Sequence, residues 1–391
     1  MPMRRLGIGL IGAGFRGTQH LQTLVKLEDA FELVAVAEHD EMKADAAQRD
    51  FGVPVYAHPE NRLDQSDLDV IDIVVPPDGH LALTALAASR GVNVLVETPI
   101  APTLAQADAM IDVCNRSGVQ IEVAENVWRF PNELLKKKAI DRHLLGEVVN
   151  MQLFYRSGFY HGMSVLRGHF GDDPVRVTGH ARALRRRSDY DANSIVNAVM
   201  PCNVWKVGVF DFPGGATAVY QFPAPSERGN FWEIIGTDAS FVGADFVPNG
   251  SDAPAVPIEP EMNGKTIVAL SPDIGSGLRW ESPYAKYGVE EPDGFALADE
   301  FMSIHGAATS GSKTVYGGLD GRRDQEMVVG VRESALHDGA AIEFPITYRT
   351  DCENRLLTEH QLRFGADTLD AGPDAWQRLY PREVLAGVYV R

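Results

Sequence analysis

The sequence predicts a chain of two parts: an α/β domain with a parallel sheet over residues 1–125, then an α+β domain with a mainly antiparallel open sheet over residues 126–391. Three observations predict it. From residue 6 to about 125, short apolar runs alternate with helix-period segments, the pattern of strand-helix-strand units. Gly12, Gly14 and Gly17 follow the first apolar run directly. Beyond residue 125 the texture changes to one helix and long alternating segments, as expected of antiparallel strands with one wetter face.

Each element has its own signal. Leu6 to Ile11 is the first strand, and a helix follows near Phe15 to Leu27. Phe31 to Ala37 is the second strand, and its helix ends at Phe51 with Gly52 as a stop. Val70 to Val75 is almost wholly Val and Ile, as in a strand covered on both faces. Leu81 to Arg90 is helical and Val92 to Val96 extended. Thr103 with Gln106 forms a capping box for the helix running to Ser117, and Val119 to Ala124 completes the sheet. Further on, a helix is expected at Asn132 to Arg142, a hairpin over 203–222 turning at Pro213 to Gly215, another over 232–246, and a helix near Gln325 to His337. Residues 248–292 are rich in Pro and Gly without clear period, a candidate lid or oligomer arm. The tail from Thr347 has no legible pattern.

Composition narrows the partners. A net charge of -18 disfavours nucleic acid and anionic membrane, whose affinity rests on clustered Lys and Arg, and leaves a small molecule as the expected ligand. The cluster Arg182, Arg185, Arg186 and Arg187 runs against that background, as an anion site or a solvated face. No apolar run is long enough to span a membrane, and Cys114, Cys202 and Cys352 are scattered, so a cytoplasmic protein with free thiols is expected. No grouping has metal-ligand spacing, and no metal is expected.

The glycines stand at G-x-G-x-x-G spacing between a strand and a helix, where they serve a dinucleotide. Gly12 permits a tight turn, Gly14 lets the backbone approach a pyrophosphate, and Gly17 allows close helix-strand packing. Phe15 and Arg16 lie inside the motif. Glu38 ends the second strand, where a carboxylate accepts hydrogen bonds from ribose hydroxyls and repels a 2′-phosphate. Together these predict a Rossmann domain holding NAD in preference to NADP, with Arg16 and His39 able to offset the repulsion. Pro76, Pro77 and His80 follow the carboxyl end of a parallel strand, where ligands of such sheets collect. For His80 a role at the helix start is the alternative.

Several stretches in order resemble the glucose-fructose oxidoreductase and inositol dehydrogenase family, Gfo/Idh/MocA. They are "DIVVPPDGH" at 72–80, "NVLVETPI" at 93–100, "ENVWRFPNELLKKKAIDRHLLGEVVNMQ" at 125–152, "HGMSVLRGHFGDDPVRV" from His161, and "YGGLDGRRDQEMVVGVRESALHDG" from Tyr316. The resemblance implies a sugar, polyol or glycoside substrate, a homo-oligomer (dimer or tetramer), and further cofactor contacts from Glu97, Thr98 and Asn126. It also implies proton transfer by the Lys of an E-K-P motif and by an H-x-x-D pair. Here Thr98 stands for the Lys and Ser164 for the Asp, while His161 is kept.

Hydroxyls relay protons but are poor bases near neutral pH, so the departures open three readings. One is a dehydrogenase acting by hydride transfer to nicotinamide. The second is a redox-neutral glycosidase or lyase, since "SGFYHGMS" resembles the branch that holds NAD-dependent glycosidases. The third is a catalytically silent NAD-binding protein. His161 is the first catalytic candidate, because imidazole titrates near working pH. Tyr160 and Tyr155 offer acid-base groups or packing, and Arg129 a substrate contact or a salt bridge. Asp172 and Asp173 read as a turn before Pro174, and Trp128, Trp205 and Trp232 as sugar-stacking or core residues.

Overall fold

A computed structural model describes residues 3–63, 67–155, 159–183, 204–222, 230–250, 252–364, 367 and 369–379. Arg185, Arg186, Arg187 and Cys202 lie outside the described residues. The chain divides into two compact units, one of residues up to Glu125 with Ala296–Gln325 and those from Arg355 on, the other of Asn126–Phe295 with Glu326–Asn354. The first unit therefore takes in more of the chain than its N-terminal segment.

That segment alternates strand and helix: β1 (Leu6–Ile11), α1 (Phe15–Leu24), β2 (Phe31–Ala37), α2 (Glu41–Phe51), β3 (Val55–Tyr56), α3 (Glu60–Leu63), β4 (Val70–Ile73), α4 (His80–Ser89), β5 (Asn93–Glu97), α5 (Leu104–Ser117) and β6 (Ile121–Ala124). The strands form one parallel sheet in the order β3-β2-β1-β4-β5-β6. β1 and β4 are buried along their whole length, as strands covered on both faces are. The order reverses at β1, so the carboxyl ends of β1 and β4 flank a crevice where such sheets bind ligands. Local chemistry sets the helix ends. The Asp40 side chain accepts from Lys43 N at the start of α2, Gly52 closes α2 at φ 69°, and the Thr103 side chain accepts from Gln106 N at the start of α5.

The second unit opens with α6 (Pro131–Asp141), β7 (Val148–Phe154), α7 (Gly162–Phe170), β8 (Arg176–Ala183), β9 (Val204–Asp211) and β10 (Thr217–Phe222). β11 (Phe231–Gly236), β12 (Ala239–Val242), β13 (Asp245–Pro248), β14 (Val256–Pro257), β15 (Glu259–Asn263), β16 (Thr266–Ser271) and β17 (Trp280–Glu281) follow. Along the chain next come α8 (Pro292–Ser310), α9 (Gly318–Leu336), β18 (Ile342–Glu343), α10 (Asp351–Phe364) and α11 (Ala375–Leu379), of which Ala296–Gln325 and the residues from Arg355 on fall in the first unit.

Among the described residues the larger sheet runs β14-β13-β12-β11-β7-β10-β9-β8-β18, antiparallel except where β10 pairs with β7. Its covered face carries Met151, Leu153, Phe210, Ala218, Tyr220 and Ile234, each no more than 1% exposed. Both expected hairpins are present, the first turning through Pro213–Gly215. Residues 248–292, expected to be irregular, hold a small sheet of β15, β16 and β17. All of β15 is exposed, so it has no apolar alternation to betray it. No helix among the described residues is long and apolar enough to cross a membrane.

Candidate active site

The turn after β1 gives each glycine of the motif a distinct reason. Gly12 has φ +96°, and a β-carbon there would meet the Val74 carbonyl oxygen at 2.3 Å. A β-carbon on Gly17 would meet the Gly12 carbonyl oxygen at 2.0 Å, so the helix can approach its strand only with glycine. On Gly14 it would meet no protein atom within 4 Å. Gly14 is the N-cap of α1 and offers no side-chain cap, which leaves backbone N–H groups at that end open to an anion. Phe15, beside it, is 86% exposed. A pyrophosphate fits this cradle.

Glu38 stands at the end of β2, buried, and braces the turn. Its Oε2 accepts the Ala13 N–H at 2.8 Å, and its Oε1 accepts the Asp40 N–H at 2.9 Å with His39 Nδ1 3.3 Å away. The carboxylate thus lies against the glycine turn, where ribose hydroxyls would be read.

Four ionisable side chains converge beneath the same edge of the sheet. Glu97 Oε1 accepts from Arg16 Nε at 2.5 Å and lies 3.1 Å from His20 Nε2, while Asp72 Oδ2 lies 2.9 Å from His20 Nδ1. Glu97 Oε2 in turn accepts the Thr98 N–H at 2.6 Å and the Thr98 hydroxyl at 3.1 Å. Burial works against a charge on His20, but the Asp72 carboxylate and the bond to Glu97 outweigh it and push its pKa up to about 9. Burial would raise the Glu97 pKa too, yet Arg16 and His20 hold it far below the usual carboxylate range. Burial raises the Asp72 pKa, and the result is a buried, hydrogen-bonded cluster that fixes the segment carrying Thr98.

Arg16, Glu97 and Thr98 were expected at the cofactor; His20 and Asp72 were not singled out. The signal was present in the sequence. His20 occupies the apolar stripe of α1 with Gly17, Leu21 and Leu24, and Asp72 interrupts a strand buried on both faces. Pro76 and Pro77 lead into the turn Pro77–Gly79 after β4, as expected. His80 is the first residue of α4. It is fully buried, with its ring nitrogens 2.9 Å from the Val75 oxygen and 3.1 Å from the Ile100 oxygen, and burial lowers its pKa. These contacts are those expected of the helix-start alternative.

In the second unit, His161 is the N-cap of α7. Gly162 behind it presses on Tyr220, whose ring a β-carbon would meet at 2.1 Å. His161 heads an aromatic tier: its ring lies 6.0 Å from Tyr155, and Tyr155 stacks on Tyr220 at 6.2 Å and Trp232 at 6.3 Å. Tyr160 is fully buried, edge-on to His161, and Arg129 is 1% exposed with its guanidinium 5.1 Å from the Trp128 ring centre. The Ser164 hydroxyl donates to the His161 carbonyl at 3.1 Å. Asn126 falls in this unit and donates to Asp293 Oδ1 at 2.6 Å. Asp173 pairs with Arg167 at 2.5 Å.

Sequence reasoning missed a second buried cluster here. Glu133 Oε1 accepts from Lys136 at 2.9 Å, and Oε2 accepts from Trp232 Nε1 at 2.8 Å and lies 2.8 Å from His169 Nε2. Burial is outweighed by the Lys136 charge and the His169 bond, and the Glu133 pKa falls to about 2. Trp232 therefore joins the cluster to the tier that ends at His161.

Residues 6–125 match the sequence model of the oxidoreductase family with an NAD-binding Rossmann fold, Gfo/Idh/MocA. D-Apiose dehydrogenase of Paraburkholderia graminis is 32% identical over 158 residues, covering 40% of this chain and 42% of that protein. Levoglucosan dehydrogenase of Pseudarthrobacter phenanthrenivorans is 29% identical over 163 residues, 39% of this chain and 41% of that protein. The chain thus matches about two fifths of the length of these curated relatives. Over both units the fold is that of a levoglucosan dehydrogenase solved with NADH and levoglucosan, with a TM-score of 0.66, 18% identity, and coverage of 88% of this chain and 100% of that one. Residues 6–125 therefore match the NAD-binding Rossmann domain of the Gfo/Idh/MocA oxidoreductases, and over both units the likeness is one of fold.

Proposed function

We propose that the protein is an NAD-dependent oxidoreductase that oxidises a hydroxyl of a sugar, polyol or glycoside. The glycine turn carries this reading: Gly14 leaves a β-carbon-sized gap at an uncapped helix start, with Glu38 beside it. NAD, when bound, accepts hydride from the carbon that bears the hydroxyl. The backbone at Gly14 and Phe15 holds the pyrophosphate, and Glu38 accepts from the ribose. Arg16, Glu97, His20 and Asp72 hold the Thr98 segment in place. His161 takes the proton from the substrate hydroxyl, with its ring oriented by Tyr155 and Tyr160. The relatives' names, D-apiose and levoglucosan dehydrogenase, favour a carbohydrate substrate.

The test is mass spectrometry of cofactor released from the purified protein, followed by a panel of sugars and glycosides monitored for reduced nicotinamide. One NADH per product is expected. A protein that neither releases nor binds NAD would sink the reading.

One observation favours a redox-neutral glycosidase or lyase as the second reading. The hydroxyls standing for the family's Lys and Asp both donate to the chain itself, Thr98 to Glu97 and Ser164 to the His161 carbonyl. Transient oxidation would then acidify a neighbouring C–H, and deuterium from solvent would enter the product with no net NADH. Absence of that exchange during glycoside cleavage counts against it. We also propose a homo-oligomer, supported by Val209, which is 39% exposed on the face of the larger sheet away from buried Phe210. Sedimentation at micromolar concentration would show a monomer if this is wrong.

A further inference from the structure

The sequence spacing led to no expected metal, but the second unit brings together Glu333, His337 and Asp351, which share no residue with the groups above. Glu333 lies in the last turn of α9 and His337 directly follows that helix with its N–H donating to the Glu333 carbonyl at 3.2 Å, so the two side chains leave the same face. Asp351 is the first residue of α10. Glu333 is buried, and its carboxylate is already oriented by that helix: Oε1 accepts the Asp351 N–H at 3.2 Å and Oε2 the Cys352 N–H at 2.8 Å.

His337 Nε2 lies 3.1 Å from Glu333 Oε1 and 3.4 Å from Asp351 Oδ2, and the three donor atoms fall within 4.8 Å of one another. A zinc-like ion holding nitrogen and oxygen at about 2.0–2.2 Å spaces neighbouring donors by about 3.3–3.6 Å in a tetrahedron and about 2.8–3.1 Å at right angles. The two measured separations match such edges. One imidazole and two carboxylates suit a first-row divalent ion better than calcium or magnesium, which favour all-oxygen sites. The backbone N–H groups on Glu333 would act as outer partners that hold a ligand in orientation.

We propose that Glu333, His337 and Asp351 bind a divalent transition-metal ion of the zinc class, which pins the first turn of α10 to the end of α9. Side chains of His337 and Asp351 are 47% and 63% exposed, so an ion can enter from solvent and substitutions there spare the core. A protonated His337 between two carboxylates would make the same contacts without metal, so the test must count ions.

The full-length protein, stripped with chelator and dialysed, is titrated with zinc chloride by calorimetry at neutral pH and, separately, with cobalt chloride by visible absorption. One equivalent of zinc and a cobalt ligand-field band are expected for wild type. His337→Ala and Asp351→Asn should each weaken zinc at least tenfold while keeping the far-ultraviolet circular dichroism and metal-free melting point of wild type. Zinc should raise the melting point of wild type and not of His337→Ala. No zinc binding by wild type, or binding unchanged in both variants, overturns the proposal. Neither outcome touches NAD binding.

Discussion

Among single residues, the glycines of the first turn separate by what a β-carbon would meet. Gly17→Ala sets carbon against the Gly12 carbonyl and should cost about 1–3 kcal/mol of stability, read by urea unfolding. Gly14→Ala meets no protein atom, so stability should stay within about 0.5 kcal/mol while NAD binding weakens tenfold or more. Equal stability losses with unchanged NAD affinity would remove Gly14 from the cofactor site. Glu38→Gln keeps an oxygen for one of the two N–H groups but drops the charge that disfavours a 2′-phosphate. Its NADP-to-NAD affinity ratio should rise about tenfold, a shift of about 1.4 kcal/mol, by fluorescence titration. The glycines and Glu38 were legible because a G-x-G-x-x-G turn and a strand end are local features. Arg129 and Tyr160 were not, since a motif position says nothing about burial, and both are buried here.

For elements, the cluster of Arg16, His20, Asp72 and Glu97 joins α1, β4 and β5 by side chains rather than by ladder hydrogen bonds. It makes stability depend on pH in a stated direction. The folded pKa of His20 is about 9 against an ordinary 6.5, so its contribution is complete below about 6.5, shrinks as pH rises, and is gone above about 9. The ceiling is about 3 kcal/mol for a fully buried group. Urea unfolding at pH 6, 7.5 and 9 should show the decline, and His20→Gln, which cannot titrate, should flatten it at lower overall stability. Identical slopes in both proteins would show that His20 is not the titrating group. Sequence spacing displays the capping box at Thr103 because its partner is one turn away. It does not display this cluster, whose members are separated by 52 and 77 residues. A shorter separation, 18 residues from Glu333, likewise hides Asp351 from that residue.

In the whole molecule, each unit is assembled from separate stretches of chain, and the first cannot be cut cleanly after Glu125. Glu122, fully buried on β6, accepts from the Ser303 hydroxyl at 2.6 Å and the Tyr316 N–H at 3.2 Å, while Tyr316 returns its carbonyl to the Val123 N–H at 2.8 Å. Gln325 donates to the Pro102 carbonyl at 2.8 Å, Arg322 to Asp108 at 2.6 Å, and Phe301 lies edge-on to His20 at 5.8 Å. A polypeptide of residues 1–125 loses all of these and leaves the Glu122 carboxylate without its donors beside bare apolar surface. Exposing the apolar side chains that this segment covers forfeits about 1.5–3 kcal/mol for each large one, comparable in sum to the whole stability of a small domain. Residues 1–125 alone should therefore melt without a cooperative transition by circular dichroism and fall quickly to protease. Adding residues 296–325 in trans as a synthetic peptide should restore part of the transition. Cooperative unfolding of residues 1–125 alone, with NAD affinity equal to that of the full chain, would show that the returning segment is dispensable.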